Sequence, residues 1–142
     1  MKGLLIALCA CTHPATPPAK PAPPPVTHVE TGPPLDQDLP RLAERSLAMY
    51  TALAGAFAKA GADCAAATTA LGGLEKEYRD AIAANAKVLR AGRAKELRDA
   101  IAPRQADFDA QAKAIAGAPT LGACENNKPF EDAFDRLVGA PP

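Results

Sequence analysis

The chain predicts an all-α fold: a small up-down-up-down four-helix bundle, closed by one disulfide, after a disordered proline-rich tether. Three observations lead there. Apolar residues make up 48% of the 142 residues and aromatics only 4%, with no tryptophan. Much of the apolar fraction is alanine, the best helix former, while the β-branched and aromatic residues that favour strands are scarce. From Asp38 onward the apolar positions recur every three or four residues, the period of a helix face. Before Asp38 prolines crowd the chain and no apolar period exists, so that stretch cannot bury a core. The formal net charge is zero and the pI is about 6.7. No global field attracts nucleic acid and no nucleic-acid-binding motif is present, so no such partner is expected.

The domain is expected over 38–142. Asp36 and Asp38 can cap a first helix, with Pro40 in its first turn. Leu39, Leu42, Ser46, Met49, Leu53 and Phe57 form its inner face, and Gly61 ends it. Asp63 can cap a second helix whose stripe is Cys64, Ala67, Leu71, Leu74, Tyr78, Ile82, Asn85 and Leu89. Gly72 and Gly73 weaken that helix, and are expected either to bend it or to let a neighbour approach closely. Gly92 is its stop. A third helix carries Leu97, Ile101, Phe108 and Ile115 and ends by Gly117. Pro103 lies inside it and predicts a kink or break near Ile101, because proline removes a hydrogen bond and crowds the preceding turn. A short fourth helix starts at Asn127 and Pro129, with Phe130, Ala133, Phe134 and Leu137 on one side.

The up-down layout makes a prediction about cysteines. Cys64 opens the second helix at the end of the bundle far from the tether. The loop between the third and fourth helices, which holds Cys124, returns to that same end. A Cys64–Cys124 disulfide is therefore expected, in an oxidising compartment. The spacing is not the C-x-x-C of a redox-active pair.

The other two cysteines sit in the opening stretch "LLIALCACTHPATPPAKPAPPP". Lys2 supplies a positive charge, Gly3 to Ala10 an apolar run, and Leu8, Ala10 and Cys11 an aliphatic residue, a small residue and a cysteine. This resembles the lipobox of bacterial lipoproteins. The resemblance covers about the first dozen residues and has a short apolar run. It implies a signal peptide over 1–10, removed on export, and a lipid (diacylglycerol, often with a further acyl chain such as palmitate) on Cys11. It also implies a protein anchored in the cell envelope and facing the periplasm. Thr12 follows the cysteine, where an aspartate often retains such proteins at the inner membrane, so the outer membrane is favoured. Two other readings of the stretch are open: a plain cleaved signal, and a C-x-C-x-H metal chelate made of Cys9, Cys11 and His13. Residues 11–37 then form the tether. At the rise of a polyproline helix, its length reaches up to roughly 80 Å. His13 and His28 in it read as solvated residues.

No catalytic constellation is found, and the protein is expected not to be an enzyme. The domain has no histidine, and no H-E-x-x-H, Walker loop or G-x-G-x-x-G pattern. No metal site is assigned in the domain and no cofactor is expected. The segment "LAMYTALAGAFAKAGAD" is similar to the first helix of the soluble b-type cytochrome four-helix bundles, where a methionine ligates haem. Met49 stands at that place, but the last helix lacks that family's histidine, so the resemblance implies the bundle alone. Around the turn between the second and third helices, Lys87, Arg90, Arg93, Lys95 and Arg98 stand against a single Glu96. These five are candidates for contact with an anionic surface, against the plainer reading of a solvated turn. The functional expectation is a membrane-anchored envelope lipoprotein with a non-enzymatic interaction or structural role. Its partners would be the membrane and an envelope protein, with the oligomeric state open. The alternative is a periplasmic bundle carrying a small apolar ligand or haem.

Overall fold

Asp38 opens the first helix. Its carboxylate accepts a hydrogen bond from the Arg41 amide at 3.2 Å, satisfying one of the amides a helix start leaves without partners. The computed structural model describes residues 32–138. The lipobox-like stretch, Cys9, Cys11, His13, His28 and the tether up to residue 31 lie outside the described residues. Among those described there are helices and no strand: α1 (Leu39–Ala60), α2 (Cys64–Glu77), α3 (Arg79–Arg90), α4 (Ala94–Ile101), α5 (Gln105–Ala116), α6 (Pro119–Cys124) and α7 (Lys128–Val138). The all-helical class and the disulfide hold. Among the described residues the α-helices number seven, where four were expected with a kink or break in the third.

The first helix follows its sequence pattern. Leu39, Leu42, Ser46, Met49, Leu53 and Phe57 are all buried. Gly61 ends α1 with φ +58°, a conformation that costs glycine little and other residues much. α1 is the central element, in contact with α2, α3, α4, α5 and α6. Thr120 at the start of α6 is fully buried and its hydroxyl donates to the carbonyls of Phe57 and Gly61. It shares its one proton between a carbonyl of the last turn of α1, which also accepts the Gly61 amide, and the carbonyl of the residue that ends the helix. By sequence 118–126 is a loop; in the structure it holds α6. α6 is one turn and a half, and only Pro119 at its start marked it.

The expected second helix is two helices. Tyr78 leaves helical geometry, with φ −105° and ψ 19°, and the buried face changes there. Up to Tyr78 the stripe is as expected: Ala67, Leu71, Leu74 and Tyr78. Beyond it the buried residues are Ala81, Ala84 and Val88, not Ile82, Asn85 and Leu89. Each residue turns a helix by about 100°, so an offset of one position swings the whole stripe to a neighbouring face. Leu89 is 53% exposed, which corrects its expected place in the core. Gly72 and Gly73 do not cause the break. They lie within α2, which runs on to Glu77, and a β-carbon on either would meet nothing within 4 Å, so no close approach accounts for them.

A side chain of α1 meets both helix ends at the break. The Arg45 guanidinium lies 4.3 Å over the centre of the Tyr78 ring. It donates to the Glu77 carbonyl at 2.7 Å, an acceptor exposed by the end of α2, and pairs with Asp80 at 3.3 Å in the first turn of α3. The proline break is fastened to α1 in the same way. Pro103 sits in a 3-10 turn, Ala102–Arg104, between α4 and α5. Arg104 in that turn pairs with Glu44 of α1 at 2.6 Å and with Asp107 at 2.7 Å. The expected kink near Ile101 is thus present as a short change of helix type.

Two hydrophobic clusters result. The larger joins Met49, Leu53 and Phe57 of α1 to Leu71, Leu74, Ile115, Phe130 and Leu137. Phe57, Phe130 and Phe134 lie with ring centres 5.7 to 6.1 Å apart. The smaller joins Leu39 and Leu42 to Ala81, Ala84, Val88, Leu97 and Leu35. Leu35 belongs to a 3-10 turn, Leu35–Gln37, so packing begins three residues ahead of the expected domain start. The disulfide Cys64–Cys124 has Cα atoms 5.6 Å apart and spans 60 residues of sequence. It ties the start of α2 to the end of α6 beside the larger cluster.

Candidate functional site

The cationic turn is built around Asp36. Lys87 at the end of α3 reaches its carboxylate at 2.7 Å, and Arg93 donates to its carbonyl oxygen at 2.9 Å. The Lys87 hydrogen bond, against some burial, holds the Asp36 carboxyl below its ordinary value, and the charges of Lys87 and Arg93 add to the effect. Arg93 also pairs with Glu96 at 2.7 Å, and Lys95 with Asp99 at 2.8 Å. Their pKa values are raised, chiefly by those hydrogen bonds. Arg90 and Arg98 are exposed.

The structure therefore separates the five cations that the sequence grouped. Lys87 and Arg93 fasten residues 35–37 to α3 and the turn. Lys95 pairs along its own helix. Among the described residues only Arg90 and Arg98 of the five make no ion pair. Asp36 does not cap α1: its partners lie more than fifty positions away in sequence, out of reach of local pattern. Arg41 extends the same end of the domain by donating to the Pro33 carbonyl at 2.5 Å. The chain thus enters the domain beside the basic turn.

A second feature lies between the two hydrophobic clusters. A cavity of about 260 Å³ opens there, walled by residues of both, among them Met49 and Leu137 from one and Leu97 from the other. Ile82 and Leu89, beyond the break at Tyr78, form part of its wall, and Tyr50 and Phe108 another part. Those two rings meet edge to face at 5.6 Å. Ser46 of α1 and Asn85 of α3 also line the cavity, joined by a 3.0 Å hydrogen bond from the Asn85 amide to the Ser46 hydroxyl oxygen. No charged side chain is in the lining. The sequence places most of these residues, though not Tyr50, on inner faces, and the cavity itself leaves no signal in their spacing.

The remaining carboxylates fit solvated faces. Asp107 pairs with Arg104, Asp109 accepts from Gln105, and Asp132 pairs with Lys128. Among the described residues no cluster of three metal-ligating side chains occurs, and no helix is long and apolar enough to cross a membrane. Comparison with family models, curated proteins and solved structures found no match for this chain.

Proposed function

We propose that the protein is an exported bacterial lipoprotein, held at a membrane through Cys11, whose helical domain has a non-enzymatic interaction or structural role in the cell envelope. The outer membrane, facing the periplasm, is the favoured location. The observation that carries this reading is the Asp36 clamp. Lys87 and Arg93 hold Asp36 at 2.7 and 2.9 Å, so the chain that leads from the anchor joins the domain at the end where Arg90 and Arg98 are exposed. An anchor and exposed cations at one end suit a domain that rests that end on anionic headgroups. Each basic residue close to such a surface contributes about 1 kcal/mol. The arrangement is further read as an up-down-up-down bundle of four rods, α1, α2 with α3, α4 with α5, and α7. The contacts of α1 with α2 and α5, and of α2 with α7, support it. The disulfide then closes the end away from the membrane.

The test uses the full chain with Cys11→Ala, so that no acyl chain contributes. It is mixed with vesicles of phosphatidylglycerol and phosphatidylethanolamine, and with neutral phosphatidylcholine vesicles. Binding to the anionic vesicles that weakens with salt, and that drops roughly tenfold or more in Arg90→Gln/Arg98→Gln, is expected. Equal partition onto both vesicle types, or no change in the double variant, would remove the membrane-facing role.

A further inference from the structure

We infer that the cavity between the two hydrophobic clusters is a binding site for a small uncharged molecule with an apolar body and one hydroxyl or carbonyl group. Four observations bear on it, and they are independent of the lipid anchor.

The size is the first. A volume of about 260 Å³ exceeds the ~150 Å³ of a dry cavity that holds benzene and falls just short of the ~300 Å³ at which drug-sized pockets begin. One or two fused rings, or a short branched chain, match it. The second is the lining, which has apolar and aromatic side chains and no charge. An ionised ligand would lose its hydration there with nothing to replace it.

The third is the polar pair. Ser46 is only 5% exposed, and its hydroxyl accepts from Asn85 across the helix interface. Among the described residues it donates no hydrogen bond, unlike Thr51 one turn further along α1, whose hydroxyl donates back to the Leu47 carbonyl at 2.9 Å. A buried hydroxyl with a free proton, beside an amide oxygen with no donor, offers a ligand one donor and one acceptor. A ligand hydroxyl or carbonyl in the cavity could use both groups in hydrogen bonds.

The fourth is the rim. Among the described residues Leu89 and Val138 are the two large apolar side chains left exposed, at 53% and 43%, and both line this cavity. Exposed apolar side chains gathered at one concave site, rather than scattered, mark a place that is covered in use. Beyond the break at Tyr78 Leu89 is exposed, while Ile82 and Asn85 stay half-buried and Ile82 packs against the larger cluster.

The experiment titrates the full chain with 1-naphthol, which has two fused rings and one hydroxyl, and follows the Met49 methyl resonance by NMR. The chain has two methionines, at positions 1 and 49, so the signal is readily assigned. Saturable binding with a Kd on the order of 0.1 mM is expected for a ligand of this size, with a ring-current shift of the Met49 methyl. Naphthalene-1-sulfonate, of similar shape but charged, should bind at least tenfold more weakly. Ala86→Phe, at a partly exposed position of the wall, should block binding with the circular dichroism unchanged. Ser46→Ala should weaken 1-naphthol roughly fivefold to tenfold. No saturation at millimolar 1-naphthol, equal binding of the sulfonate, or full binding by both variants would overturn the inference. So would a Met49 shift that depends on protein concentration alone, since the cavity would then be the seat of a second copy.

Discussion

Arg45 lies 4.3 Å over the ring of Tyr78 while the same guanidinium donates to the Glu77 carbonyl at 2.7 Å. One α1 side chain therefore serves both the aromatic face and the freed acceptor at the point where α2 stops and α3 begins. Arg45→Met keeps much of the stem and loses the hydrogen bonds and the charge. It is expected to lower unfolding free energy by about 1 kcal/mol. Tyr78→Phe keeps the ring under the guanidinium and should cost well under half as much. Urea unfolding of the two variants checks the contrast, and equal losses would mean that the guanidinium is not what the break depends on.

Two of the glycines can be filled and a third cannot. Gly72 and Gly73 are helical and a β-carbon there meets nothing within 4 Å. Replacing either with alanine should stabilise the domain by about 0.5–1 kcal/mol. Gly61→Ala should do the reverse, by about 1 kcal/mol or more, because its φ is +58°. Thermal melts of the three single variants give the signs directly.

The disulfide closes a loop over 60 positions, which in the chain-entropy model stabilises the fold by about 4 kcal/mol. Reduction, or Cys64→Ala with Cys124→Ala, should shift the urea midpoint accordingly. Thr120→Val, at the neighbouring α6, removes the only hydroxyl that serves the Phe57 and Gly61 carbonyls among the described residues. It should cost a further 1–2 kcal/mol, roughly. A Thr120→Val variant as stable as the parent would show that water replaces the hydroxyl without loss.

Asp36 links the domain to pH. Its carboxyl is held below the ordinary value, first by the Lys87 hydrogen bond. Its stabilising contribution is therefore fully present above the ordinary carboxylate pKa and is lost as pH falls through the lowered one. Asp36→Asn should be less stable than the parent at neutral pH, and the difference should close on acidification. Stability of both proteins measured from pH 7 down to strongly acidic conditions tests this. A difference that does not change with pH would mean the charge is not what holds the clamp.

How far the sequence could be read depends on where each cause lies. The face of α1, from Leu39 to Phe57, was legible because every residue of it is set by one uninterrupted period. The caps at Asp38, Asp63 and Asn127 were legible because each acts within three residues. The pairing of Cys64 with Cys124 followed from the order of helices. The break at Tyr78 was not legible, because Arg45 lies 33 positions earlier and Gly72-Gly73 offered a more obvious, and wrong, weak point. The cavity was not legible either, since Ile82, Asn85 and Leu89 continue the stripe on paper, whereas in the structure Leu89 is exposed and Ile82 and Asn85 are only half-buried. The basic turn was found as a group, but only structure could divide it into cations that hold Asp36 and cations that face outward.

Whether the protein is exported and lipid-anchored, as proposed, is decided by the intact mass of the chain extracted from the membranes of a bacterial host that makes it. The mass should show loss of residues 1–10, acyl chains on Cys11 and, on reduction, a gain of two hydrogens from Cys64–Cys124. An intact N-terminus without lipid would contradict the claim, and would leave Cys9, Cys11 and His13 together in the mature protein as a metal-binding question.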